Sequence, residues 1–477
     1  MKQNSFDFIA TKAMAIVIPR KNLSHKEQDF IVNMLTIKPK LPEKNFFSKG
    51  FKMQFSQTEP EPFPFFQVDE NNVKVPYAFG SIFLKCHPHD NRDYHKINVS
   101  FTGELRDRQK KRVTKLDQHF EKHRTATLTA HTGFGKTRLS NYYIAKWGLL
   151  TVVLVPGEVL MNQWPKAIQD ALPGVKVGVV GEDYREDLLD PEDIWKNHPD
   201  VLICMPDRWK HIPAEVRSRI GFLIIDEAHM FCAPKRSICL LQFEPKYILA
   251  MTASPRRRDG TIEVIHSLCG LHQVKARYPN KVTVWSFLTG LSYTSEKDAR
   301  GNTNWSGTVK KITEDDERNN LIADLAVYLI NDLKRKPLLM CDRKEHVIAL
   351  DQLLKDRGVT CDYLMGTKSV YQDGQCLIAI MTKAGTGFDE QYACPEFNGL
   401  RIDTVVYCAS FKEVNNLIQY GGRAFRSESP LIIHLIDDNS IIRNHWVSNS
   451  KYYKSGEYLK NVEIISLWSD DIWKTSA

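Results

Sequence analysis

No apolar run in this chain approaches the roughly 20 residues that a bilayer-spanning helix needs, and the polar N-terminus lacks the apolar stretch of a signal peptide. The 10 cysteines never form a Cys-x-x-Cys pair, so a zinc site is not indicated. Many of them sit in apolar, strand-like runs and read as reduced core thiols of an intracellular protein. What is present is ordinary in bulk. The 477 residues suffice for about three domains. A hydrophobic content of 42% and a charged content of 26% are those of a soluble globular protein. The net charge of +8 (pI ≈ 8.8) suits a polyanionic partner without requiring one.

The stretch Ala130-His-Thr-Gly-Phe-Gly-Lys-Thr137 organises the rest. It follows the β-rich run Thr125–Thr129 and precedes Arg138–Lys146, which reads as a helix start. That is the strand–loop–helix context of a phosphate-binding loop, with Ala130 where the general pattern has its first glycine. Gly133 and Gly135 let backbone N–H groups close around an anion, and the helix N-terminus adds its positive dipole end. Lys136 would reach the β- and γ-phosphates, and the Thr137 hydroxyl would ligate Mg²⁺.

Downstream, strand-like runs alternate with helix-length segments. Leu150–Val155, Val175–Val180, Val201–Cys204, Phe222–Ile225 and Tyr247–Ala250 are rich in β-branched residues and read as buried parallel strands. The fold class expected is α/β, a doubly wound parallel sheet with ligands at the strand carboxyl ends. Phe222–Ile225 delivers Asp226-Glu-Ala-His229 to that end. Asp226 would hold Mg²⁺, while Glu227 would orient and activate the attacking water of a nucleoside-triphosphate hydrolase. The next strand ends in Thr252-Ala-Ser254, whose hydroxyls could sense the γ-phosphate.

A second alternating unit follows. Leu271–Thr313 is a poorly patterned, glycine-bearing bridge. Then come a helix from Arg318, strands at Pro337–Met340, Cys376–Met381 and Thr404–Tyr407, and a last strand at Leu431–Ile436 that closes the sheet. Arg423 and Arg426 are three apart and would share a helix face, placed to act as arginine fingers on a transferring phosphoryl group. The boundaries expected are an accessory segment 1–100, an ATP-binding domain 101–285, a linker 286–313, a C-terminal domain 314–440 and a helical tail 441–477. In the accessory segment, Phe46, Phe47, Lys49, Phe51 and Lys52 read as core and rim rather than as a stacking surface.

In this order the motifs resemble those of the superfamily 2 DNA and RNA helicases, which carry two RecA-like domains in tandem. Leu105-Arg-Asp-Arg-Gln109 resembles the family's adenine-reading element, with Gln109 as its glutamine. Ala130–Thr137 resembles motif I, so His131, Thr132, Gly133, Phe134, Gly135, Lys136 and Thr137 are expected around ATP. Leu154–Trp164 resembles motif Ia, Asp226–His229 the DEAH-box motif II, Thr252–Ser254 motif III and Lys383–Asp389 motif V. Gln419-Tyr-Gly-Gly-Arg-Ala-Phe-Arg426 fits motif VI, which places Gln419 at the nucleotide as well. Thr252-Ala-Ser-Pro-Arg-Arg-Arg-Asp-Gly260 is most similar to the XPB/UvsW branch, which includes poxvirus and other large-DNA-virus helicases. There the branch's Arg-Glu-Asp element reads Arg257-Arg258-Asp259. The segment between Leu364 and Cys376 is too short for the usual helix.

The resemblance implies an ATP- and Mg²⁺-dependent helicase or translocase, with DNA favoured over RNA as the track. Pro156, Gly157, Arg208 and Thr382 are the nucleic-acid contacts by family position. It further implies a monomer, acting within a transcription or repair complex, in the reducing cytoplasm or nucleus or packaged in a virion. The alternative is an RNA helicase or transcript-release factor working beside a polymerase. A non-catalytic scaffold is disfavoured by the intact Lys136, Glu227 and Arg426. A restriction motor is disfavoured because no nuclease cluster of carboxylates and lysine is evident.

Overall fold

The computed structural model describes residues 15–40, 60–84, 93–190, 192–243, 245–253, 257, 259–385, 388–456 and 459–473. The aromatic–lysine stretch at 46–52 lies outside these residues, as do Ser254 and Arg258. By its contacts the chain divides into two compact units. One is Met1–Ala130 with Gly135–Ala276; the other is Arg277–Ala477 together with His131–Phe134.

The first unit opens with a small accessory layer. Strand β1 (Ala15–Pro19) pairs antiparallel with β5 (Asn72–Pro76), which also takes β4 (Gln67–Val68); β2 (Thr36–Ile37) and β3 (Phe63–Pro64) form a separate ladder. Helix α1 (His25–Leu35) starts at a capping box, Ser24 to Glu27, and α2 (Tyr77–Phe83) follows β5. Ile18, Ile31, Leu35, Val75 and Phe79 form the layer's own core.

Next, α3 (Asp107–His123) leads into β6 (Thr125–Ala130), and α4 (Lys136–Trp147) leads to β7 (Thr151–Leu154). Helix α5 (Glu158–Ala171) precedes β8 (Val177–Val179), β9 (Val201–Cys204), β10 (Phe222–Ile225), β11 (Tyr247–Thr252) and β12 (Gln273–Ala276). These seven strands form one all-parallel sheet in the order β12-β6-β11-β10-β7-β9-β8. Strands β6, β7, β9 and β10 are buried at every position, as continuous apolar runs between helical layers must be. Because all seven strands are parallel, the loops after β6 and β10 open at the same, carboxyl, edge of the sheet.

The second unit has a sheet of the same kind. Strands β13 (Tyr278–Ser292), β14 (Pro337–Cys341), β15 (Cys361–Leu364), β16 (Cys376–Ile380), β17 (Thr404–Tyr407), β18 (Leu431–Asp438) and β19 (Leu459–Trp468) run parallel in the order β15-β16-β14-β17-β18-β13-β19. No helix lies between β15 and β16 among the described residues, as the short spacing implied.

Two expectations are corrected here. The stretch taken as a bridge and linker contains β13, the longest strand, and a helix at Trp305–Thr313. The tail begins as a helix, Ser440–Lys454, but continues as β19, so β18 does not close the sheet. The cause is common to both. β13 opens on exposed Pro279, Asn280 and Lys281 and then mixes buried positions with half-buried Thr283, Trp285 and Leu288, and β19 is an edge strand with most positions partly open. Neither carries the continuous apolar signal of a central parallel strand.

Candidate active site

The loop after β6 turns through two left-handed glycines, Gly133 (φ 80°) and Gly135 (φ 87°). Gly135 caps α4, and a Cβ there would lie 2.6 Å from Gln109 Nε2, so the position admits no side chain. The amide of Gln109 is fully buried. Its Nε2 donates to Gly135 O at 2.9 Å, and its Oε1 accepts from Arg106 N–H at 2.8 Å. Gln109 thus braces the loop against the start of α3. Within the loop, His131 is buried with its Nδ1 2.7 Å from Thr132 O, Phe134 is buried, and Thr132 and Gly133 are half-buried.

Lys136 and Thr137 open α4, both half-buried. The ammonium of Lys136 reaches Glu227 Oε1 at 3.2 Å, with 12% and 15% of the two side chains exposed. Glu227 follows β10 in the left-handed region (φ 48°, ψ 51°), an uncommon posture for a residue with a Cβ. That turn lets consecutive acidic residues serve one site. Asp226 is buried. Its Oδ2 accepts from Trp164 Nε1–H at 3.0 Å, and its Oδ1 accepts from Glu227 N–H at 3.0 Å.

Burial, with the neighbouring Glu227 charge, pushes the Asp226 carboxyl up to about 6. Glu227 is also raised by burial, but Lys136 and His229 more than offset this and hold it below its ordinary value. His229 Nδ1 lies 2.9 Å from Thr252 Oγ1 at the end of β11 and 3.5 Å from Glu227 Oε2, and burial holds its imidazole below the ordinary histidine value. Arg257 Nη1 donates to His229 O at 2.8 Å while its guanidinium pairs with Asp259 at 2.6 Å. Two buried carboxylates therefore share one ammonium. That donor set fits an added divalent cation, which would remove the repulsion that raises Asp226.

The proposed strand contacts fall elsewhere in the first unit. Pro156 is buried, Gly157 has open space around its Cα, and both precede α5. Arg208 donates to Val180 O at 3.3 Å and pairs with Glu182 at 3.1 Å, so it ties down the end of β8.

In the second unit, Thr382 is exposed on the short helix Met381–Gly385. Gln419 is half-buried on the helix Val414–Gly421. That helix ends before either arginine. Arg423 lies beyond it as the cap of a 3₁₀ turn, Ala424–Arg426, where residues three apart still share a side, and both guanidiniums reach Phe388 O. Gly421 and Gly422 end the helix where the spacing implied continuation. Arg423 is buried and donates to Gly385 O and Phe388 O, while Arg426 pairs with Asp389 at 2.9 Å and Glu390 at 3.5 Å. Sequence reasoning missed Trp164 as a partner of Asp226. The available signal was a buried indole, whose N–H must find an acceptor.

Residues 102–257 match the family described as type III restriction enzyme, res subunit. A helicase of Frog virus 3 (isolate Goorha) is 28% identical over 387 residues, 80% of this chain and 84% of the viral protein. The transcript termination protein of Yaba-like disease virus is 26% identical over 342 residues, 64% of this chain and 66% of its own length. Among solved structures, a variant of S. cerevisiae Dbp5 bound to RNA and ADP BeF3 superposes with a TM-score of 0.50 at 12% identity. It covers 78% of this chain and 96% of that one, a likeness of fold alone. Two parallel sheets in tandem, the first with a lysine-bearing phosphate loop and paired carboxylates at its strand ends, are RecA-like domains of an ATP-hydrolysing enzyme. Over residues 102–257 the chain is similar to that restriction-enzyme family, and over most of its length it is similar to helicases of large DNA viruses.

Proposed function

We propose that the protein is a nucleic-acid-stimulated ATPase that moves along DNA. The observation that supports this most is the ion pair of Lys136 with Glu227 at 3.2 Å, beside the buried Asp226 at the end of β10. Bound Mg²⁺–ATP supplies the phosphoanhydride and the cation. Thr137 and Asp226 are the residues proposed to hold the metal. The glycines at 133 and 135 and the N-terminus of α4 receive the phosphates, with Lys136 exchanging Glu227 for phosphate oxygens. Freed of its ammonium, Glu227 orients the water. Arg423 and Arg426 are proposed to stabilise charge on the transferring phosphate, and Gln109 to keep the loop in register for the nucleotide.

The second reading is transcript release, supported by the likeness to a protein named for transcript termination. In this reading the same motor acts on the nucleic acid of an elongation complex. Hydrolysis measured with duplex DNA, single-stranded DNA, RNA and a stalled elongation complex separates the two. Stimulation by duplex DNA supports a DNA motor, and stimulation by RNA alone overturns it. Release of transcript from the stalled complex only with hydrolysable ATP supports the second reading.

A further inference from the structure

The indole of Trp164 lies 1% exposed with its N–H on Asp226 Oδ2 at 3.0 Å. It is carried by α5, whose inward face is Met161, Trp164, Ile168 and Ala171. The helix begins directly after Pro156 and Gly157, and Met161 N–H donates to Gly157 O at 3.1 Å. One turn before the indole, Met161 Sδ accepts from Arg208 Nη1 at 3.6 Å. One helix, with Pro165 inside it beside the indole, therefore joins the three proposed strand contacts of the first unit to the carboxylate proposed for the metal.

We infer that Trp164 is a positioning residue: through its N–H it fixes which Asp226 oxygen faces the cation, and through α5 it links strand binding to that carboxylate. The inference rests on the ATPase reading above. With Oδ2 engaged by the indole and Oδ1 by Glu227 N–H, the carboxylate cannot rotate about its Cβ–Cγ bond. Without the indole donor, Asp226 loses its fixed orientation, and a shift of α5 no longer reaches it.

The test is Trp164→Phe in the full-length chain, with β-(3-benzothienyl)alanine at the same position as a shape-matched ring without an N–H, should Phe not fold. Mg²⁺-dependent binding of a fluorescent ATP analogue is titrated, and ATP hydrolysis is followed with and without a DNA oligonucleotide. The expected result is about a tenfold rise in the Mg²⁺ needed for half-saturation, with the KM for ATP at saturating Mg²⁺ changed by no more than about twofold. The stimulation of kcat by DNA falls by a similar factor. In an Asp226→Glu background, Trp164→Phe adds little, because its effect runs through that carboxylate. A variant with lowered Tm but the parent's Mg²⁺ dependence and DNA stimulation overturns the inference. A parent protein with no DNA-stimulated hydrolysis fails the ATPase reading instead.

Discussion

At the carboxyl end of β10 stands Asp226; at the carboxyl end of β18, in the other sheet, stands Asp437. Both are buried. Asp437 accepts from Arg318 Nε on both oxygens at 3.1 Å and from Thr289 Oγ1 at 2.8 Å, and Arg318 in turn donates to Cys408 O at 3.1 Å. Asp226 has an indole and a backbone N–H but shares its nearest ammonium with Glu227. One carboxylate is fully neutralised by a guanidinium. The other is hydrogen-bonded yet short of positive charge. A charge pair completed inside the fold can only hold it together, whereas an incomplete one can take up a cation and a phosphate. The same strand-end geometry thus serves as a clasp in one sheet and as the proposed reactive site in the other.

The largest effect that could break this contrast lies in the chemistry. Glu227→Gln keeps the shape of the site and removes the proposed base, so kcat for ATP should fall by about 10²–10⁴ while nucleotide still binds. Hydrolysis within threefold of the parent would remove Glu227 from the reaction. The equivalent change in the second sheet should act on folding. Asp437→Asn leaves Arg318, 2% exposed, without its counter-ion and is expected to cost about 3–5 kcal/mol in a denaturant titration. Replacing both partners, Arg318→Met with Asp437→Leu, should recover most of that loss, because no charge is left buried. A single substitution as mild as the double one would show that the clasp contributes little.

A smaller effect sharpens the comparison through pH. The Asp226 carboxyl is raised in the folded state, to about 6, above its unfolded value. The stability it confers is therefore present below the unfolded pKa and is lost as pH rises through about 6. Asp226→Asn should remove that downward slope from the Tm measured between about pH 4 and 7. Mg²⁺ with ADP should remove it in the parent. A slope unchanged by either would mean that Asp226 does not titrate in this window.

The contrast also explains what the sequence made legible. Lys136, Asp226 and Glu227 stand out because the chemistry fixes residue types at strand ends, and β7, β9 and β10 stand out because central parallel strands are nearly continuous apolar runs. Long-range partnerships are not encoded that way. Trp164 reads only as part of an apolar helical stripe, and its bond to Asp226 spans 62 residues. Gln109 appears at its family position, but not its clamp on Gly135 O, 26 residues on. The left-handed turn at Glu227 has no local signature, since neither Gly nor Asn marks it. β13 escaped notice because glycine and polar residues interrupt its apolar positions, and the helix start at Arg318 carries no sign of its bond to Asp437, 119 residues on.

The smallest predicted effect again sets one unit against the other, through histidines that burial keeps neutral. In the first, His272 is half-buried, stacked on His123 at 4.2 Å and His119 at 4.9 Å, with its Nε2 2.8 Å from Thr125 O. Burial, reinforced by His123, His119 and Lys122 and opposed by the Thr125 carbonyl, lowers it to about 4. In the second, His434 is buried with its Nε2 2.9 Å from Tyr453 Oη, and burial lowers it to about 3. For each, the unfolded chain binds the proton more tightly, so stability falls as pH drops below the ordinary histidine value and stops falling near the folded value. His272→Gln should flatten the acid side of the stability profile only down to about pH 4, and weakly, since solvent screens a half-buried ring. His434→Gln should flatten it further, to about pH 3. Equal windows for the two substitutions would show that the exposed stack and the single buried ring hold their neutral histidines equally firmly.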